Sequence, residues 1–101
     1  MTAESLVRSL DAEQLSRIAD VIKMLGHAER LKILEILEGG EATVSYIQET
    51  LGLPQAIVSQ HLARMRGHDV VASRRDGNHV YYRIVEEKVR HVLGCIRHCD
   101  M

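Results

Sequence analysis

The 101-residue chain contains no Phe and no Trp, and it has only three Tyr, one Pro and two Cys. Without large aromatic rings the core has to be assembled from Leu, Ile, Val, Ala and Met, a composition that suits helices. Cys95 and Cys99 lie together near the C-terminus. They form no framework for a secreted disulfide scaffold, so a cytoplasmic protein with reduced thiols is expected. There is no apolar run of about eighteen residues, which excludes a membrane-spanning helix. The start, MTAESLVRSL, lacks a basic segment followed by an apolar stretch, so no signal peptide is expected. No Gly-rich phosphate loop and no paired carboxylates in a plausible cleft occur, which argues against an enzyme. At this length a single domain with a modest core is expected over residues 1–101.

Basic charge is scarce overall but unevenly placed. The net charge is -1, yet residues 1–49 carry five basic and nine acidic side chains. Residues 50–83 reverse this, with Arg64, Arg66, Arg74, Arg75 and Arg83 against Asp69 and Asp76. Between Thr50 and His68 there is no acid at all. A local basic face governs phosphate contact more than the total charge does.

Apolar spacing predicts a first helix over about 12–25, capped by Asp11 with Gln14 placed for a capping box. Its stripe is Leu15, Ile18, Ile22 and Leu25, widened by Val21 and extended upstream by Leu6 and Leu10. A second helix is expected from Ala28 to Leu37, with Leu31, Leu34 and Leu37 on one face. Thr43 caps a third, running through Leu51 with Val44, Ile47 and Leu51 apolar. Gly52-Leu53-Pro54 then supplies a left-handed stop, a core residue and a helix opener.

The fourth helix runs from Pro54 to Arg66 and ends at Gly67. Ile57, Val58, Leu62 and Met65 face inward, leaving Gln55, Ser59, Gln60, Arg64 and Arg66 outward. Two β-prone runs, from Val70 to Arg75 and from His79 to Ile84, flank Asp76-Gly77-Asn78, a strong hairpin signal. A last helix is expected from Glu86 to about Cys99, with Val89, Val92, Leu93 and Ile96 apolar. The order is α-α-α-α-β-β-α: mainly α with a small β-hairpin, an α+β fold that looks like a winged helix-turn-helix.

Arg30-Leu-Lys-Ile-Leu, Val58-Ser-Gln-His-Leu62, Ser73-Arg-Arg-Asp-Gly and Val80-Tyr-Tyr-Arg83 carry a family resemblance, in that order and spacing. The chain resembles the ArsR/SmtB family of bacterial repressors over roughly residues 27–84. The resemblance implies a homodimer joined through its first and last helices. It implies double-stranded operator DNA as partner, an inverted repeat, bound until an inducer lowers the affinity.

The fourth helix would then enter the major groove, with Gln55, Ser59 and Gln60 meeting base edges and His61 and Arg64 meeting phosphate or base. Arg66 shares that outward face. Packing between helices is the alternative for His61. At the wing, Arg74, Arg75 and His79 are candidates for minor-groove or phosphate contact. Tyr82 reads as core, and Tyr81 as the tyrosine able to reach DNA. A winged-helix protein-interaction module is the rival class, and the acid-free helix argues against it.

His91, Cys95, His98 and Cys99 recur at i, i+4, i+7 and i+8, on one helical face. Two thiolates and two imidazoles suit a thiophilic metal or metalloid ion such as Zn(II), Cd(II) or As(III). The set spans on the order of 12 Å of helix, so one ion can take only a subset. Redox or sulfide sensing through Cys95 and Cys99 is a second reading, and small buried cysteines with surface histidines a third.

The ligand positions of the family's last-helix site fall here on Glu86, Lys88 and Cys99, and the sequence ends at Met101 before the final one. Lys88 is no metal ligand at neutral pH. The family's other site, a Cys-x-Cys in the third helix, has no thiol in Val44-Ser45-Tyr46-Ile47.

Overall fold

The computed structural model describes residues 9–98; Leu6 and Cys99 lie outside that range. Helix α1 (Ala12–Leu25) opens on a reciprocal cap. The Gln14 amide donates to Asp11 Oδ1 at 2.7 Å, and the Asp11 amide donates to Gln14 Oε1 at 3.0 Å. This is the capping box expected from the sequence, and it satisfies donors that a helix start leaves free. Gly26 closes α1, and His27 caps helix α2 (Ala28–Glu38), its Nδ1 accepting the Glu29 amide at 3.3 Å.

A two-residue strand, β1 (Ala42–Thr43), comes next and was not in the expected order. It pairs antiparallel with a later strand, Ala42 opposite Tyr82 and Thr43 opposite Tyr81. Two residues are too few to carry a period-2 pattern, so nothing local announces it. Thr43 Oγ1 also accepts the Tyr46 amide at 3.1 Å and so caps helix α3 (Val44–Leu51). Gly52 ends α3 with φ 68, a left-handed conformation that glycine adopts without a Cβ clash. Pro54 then precedes helix α4 (Gln55–Gly67).

The stop of α4 differs from expectation. Gly67 is still helical, and the chain turns at Asp69, whose φ is 58. The Asp69 amide donates to Arg66 O at 3.0 Å and the Val70 amide to Met65 O at 2.9 Å. That pair of bonds is a Schellman motif, with Asp69 in place of the usual glycine. Asp tolerates the left-handed region better than most side-chain-bearing residues.

Strands β2 (Val71–Asp76) and β3 (His79–Ile84) form the hairpin, in register from Val71 opposite Ile84 to Asp76 opposite His79. Gly77, at φ 62, starts the two-residue loop. The sheet order is β1-β3-β2. Helix α5 (Glu87–Arg97) closes the chain, its N-cap Glu86 accepting the Lys88 amide at 3.2 Å.

One core unites Ile33, Leu34 and Leu37 of α2, Ile47 of α3, Val58, Leu62 and Met65 of α4, Tyr82 and Ile84 of β3, and Val89 and Leu93 of α5. Tyr82 is buried, as expected. Helix α1 carries most of its apolar stripe outside the core. Leu25 is buried, but Leu15, Ile18 and Ile22 are 51%, 39% and 63% exposed. Val92 and Ile96 of α5 are likewise exposed. The helical period was legible, but it marks a face that nothing among the described residues covers. No helix among the described residues is long and apolar enough to cross a membrane.

Candidate nucleic-acid interface

Helix α4 is held from beneath by Val58, Leu62 and Met65, all fully buried. Their spacing fixes which side chains point away. Gln55, Ser59, Gln60, Arg64 and Arg66 are exposed, as the sequence predicted. Among the described residues, Arg64 takes part in no ion pair. Arg66 Nη1 donates to Ser73 Oγ at 3.3 Å, tying the end of α4 to the start of the wing.

His61 does not join the outward set. It is 8% exposed, and Arg30 Nε donates to its Nδ1 at 3.1 Å, while Nε2 lies 3.1 Å from Glu29 Oε1. Arginine has no acceptor, so Nδ1 must offer its lone pair and Nε2 carries the proton of the neutral ring, donated to Glu29. The expectation of a DNA contact from His61 is corrected: its helical phase turns it toward α2, and the packing alternative holds. Arg30 also donates through Nη1 to Met24 O at 3.2 Å, so one guanidinium links the end of α1, the start of α2 and α4.

The wing places its three candidates differently. Arg75 and His79 are exposed, and Arg75 makes no ion pair among the described residues. Arg74, also a candidate for phosphate contact, is engaged within the molecule. Its Nε donates to Glu41 Oε2 at 2.9 Å and its Nη2 to Glu41 Oε1 at 2.9 Å, while the guanidinium lies 4.6 Å from the centre of the Tyr81 ring. A planar fork on a carboxylate is among the stronger charge-assisted pairings. It holds the Glu41 carboxyl below the usual carboxylate range and raises Arg74.

Glu41 was missed by sequence reasoning because it lies 33 residues from Arg74 and flanks the unexpected strand β1. Glu29 and Arg30 were missed as partners of His61 for the same reason: their pairing is set by tertiary packing, although Arg30 stands in a segment that carried the family resemblance.

On α5, His91, Cys95 and His98 are exposed and share a shallow groove with Glu87, Arg90 and Gly94. Three members of the expected face thus lie along one side of α5. Cys99 lies outside the described residues. Among the described residues, the one set of three or more ligand-type side chains with donor atoms within 4.8 Å of one another is elsewhere: His27, Glu29 and His61.

An exposed, acid-free helix packed beside a three-stranded wing defines a winged helix-turn-helix protein. Residues 27–73 match the profile of the bacterial regulatory protein arsR family. The HTH-type transcriptional regulator KmtR of Mycobacterium tuberculosis is 37% identical over 93 residues, covering 92% of this chain and 72% of that protein. The transcriptional repressor PagR of Bacillus anthracis is 40% identical over 76 residues, covering 74% of this chain and 76% of that protein. The crystal structure of PagR superposes with a TM-score of 0.77 at 36% identity, over 85% of this chain and 99% of PagR. A solution structure from Mycobacterium bovis, described as a homodimeric winged helix-turn-helix DNA-binding domain, gives 0.77 at 29% identity, over 96% of this chain and 84% of that one.

The chain belongs to the arsR family of bacterial regulatory proteins. It is a DNA-binding transcriptional regulator of the repressor type and not an enzyme.

Proposed function

We propose that the protein is a homodimer that represses transcription from an inverted-repeat operator, working in the cytoplasm. The observation that carries this reading is the outward row Gln55, Ser59, Gln60 and Arg64 on α4, set beside a wing whose Arg75 is free to meet phosphate. Gln60 has the planar amide that pairs bidentately with adenine, and Arg64 and Arg75 act as sequence-independent phosphate contacts. The uncovered apolar residues of α1 and α5 support pairing of two copies through those helices, as does the homodimeric relative.

The inducer belongs to the same reading. Cys95 on the exposed face of α5, flanked by His91 and His98, fits a thiophilic metal or metalloid ion of the Zn(II), Cd(II) or As(III) class. Its remaining ligands would come from Cys99 or the second copy, because the three described donors do not converge within 4.8 Å. Lys88, an ammonium with no lone pair to give at neutral pH, supports a site on Cys95 over one on the family's Glu86–Lys88 positions.

Operator binding measured by gel shift tests this reading with reduced apo-protein, with each ion added, and after oxidation. Apo-protein should bind at low salt, and an added ion should weaken binding in the wild type but not in Cys95→Ser or Cys99→Ser. Release by oxidation alone would assign the thiols to redox sensing instead. Arg64→Ala and Arg75→Ala should each flatten the slope of log K against log salt by about 0.9 per chain. No binding of apo-protein at low salt overturns the repressor reading.

A further inference from the structure

We propose that His27, Glu29 and His61 form a second, sulfur-free site for a divalent cation of the Zn(II) class, joining the start of α2 to the DNA-facing helix α4. Each residue offers one donor atom, and all three atoms lie within 4.8 Å of one another. Two imidazoles and a carboxylate, with a position left open for water, are a sufficient donor set for such an ion.

The distances are close to those needed. Bonds of about 2.0–2.2 Å in a tetrahedral arrangement place ligand atoms about 3.3–3.6 Å apart. His61 Nε2 and Glu29 Oε1 already stand 3.1 Å apart. His27 has to close in by at most about 1.5 Å on the same geometry. Its ring is free to do so: it is exposed, lies 4.6 Å from the His61 ring between centroids, and among the described residues is tethered only by the long 3.3 Å cap bond. The same exposure gives the ion a path in from solvent.

Filling the site requires a proton balance that involves Arg30. A metal bond at His61 Nε2 displaces the proton now donated to Glu29, and a neutral ring must then carry its proton on Nδ1. Nδ1 currently accepts from Arg30 Nε at 3.1 Å, so that hydrogen bond has to be given up. Arg30 retains its Nη1 bond to Met24 O. The ion thus takes the place of the Arg30–His61 hydrogen bond and of the Glu29–His61 hydrogen bond between α2 and α4, while the displaced proton moves to Nδ1.

Co(II), as a spectroscopic probe, and Zn(II) test the site in a chain carrying Cys95→Ser and Cys99→Ser, which removes the thiol site proposed above. His27→Asn keeps a helix-capping side chain, and Glu29→Gln keeps an acceptor for His61, so both should fold by circular dichroism. The expected result is one Co(II) per chain with visible d–d bands and no thiolate charge-transfer band. His27→Asn and Glu29→Gln should each weaken Zn(II) binding by at least about tenfold, the least that loss of even a supporting residue causes. Absence of binding to the cysteine-free chain, or affinity unchanged in both variants, overturns the proposal.

Discussion

Arg74 and His61 show how far a residue's role depends on what packs beside it. Both are basic side chains in the segment proposed to meet DNA, and both are engaged from within the molecule, one by Glu41 and the other by Glu29 and Arg30. For Glu41 the consequence has a sign. Its carboxyl titrates below the ordinary range, chiefly through the hydrogen bonds from Arg74. The clasp therefore contributes in full above the usual carboxylate range and is lost as pH falls through the lowered value. Acid unfolding of the wild type should be steeper than that of Glu41→Gln, followed by circular dichroism between neutral pH and about pH 3. In Glu41→Gln at neutral pH, Arg74 is released to meet phosphate, and the salt slope of DNA binding should steepen by up to about 0.9 per chain. An unchanged slope would leave Arg74 as a brace for the wing and nothing more.

Elements were read well where the signal is local. The capping box at Asp11, the Thr43 cap, the left-handed Gly52 and the Gly77 hairpin depend on residues a few positions apart, and each is present. The outward face of α4 followed from its apolar spacing. Strand β1, the Glu41 clasp and the His61 triad depend on partners 31 to 40 residues away, and sequence spacing carries no trace of those. The end of α4 is an intermediate case: a glycine stood nearby, yet the turn falls on Asp69. Because Asp69 sits at φ 58 in a Schellman motif, Asp69→Gly should stabilise the fold by about 0.5–1 kcal/mol. Asp69→Val should destabilise it by more than about 1 kcal/mol, both read from urea midpoints.

At the scale of the molecule, the extents of 57 × 31 × 20 Å and a radius of gyration of 15.9 Å are those of an elongated body. A compact chain of this length would have about 13 Å. Helix α1 contributes to this, since Leu15, Ile18 and Ile22 lie outside the core. Replacing Ile22, 63% exposed, by Glu should barely change the stability of a lone chain but should prevent pairing of copies. Sedimentation should then report a monomer, and operator affinity should fall at least about a hundredfold as the second half-site contact is lost. A dimer that persists in Ile22→Glu would move the interface elsewhere. The short strand β1 has a mechanical meaning at this scale. The backbone of Thr43 is zipped to Tyr81 in the wing, while its hydroxyl holds the first turn of α3. Peeling the wing from the body would therefore strain that hydroxyl bond and loosen the helix that leads into α4. Wing and helix-turn-helix are thus expected to open as one cooperative unit, so that a signal loosening either is felt by both of the surfaces proposed to face DNA.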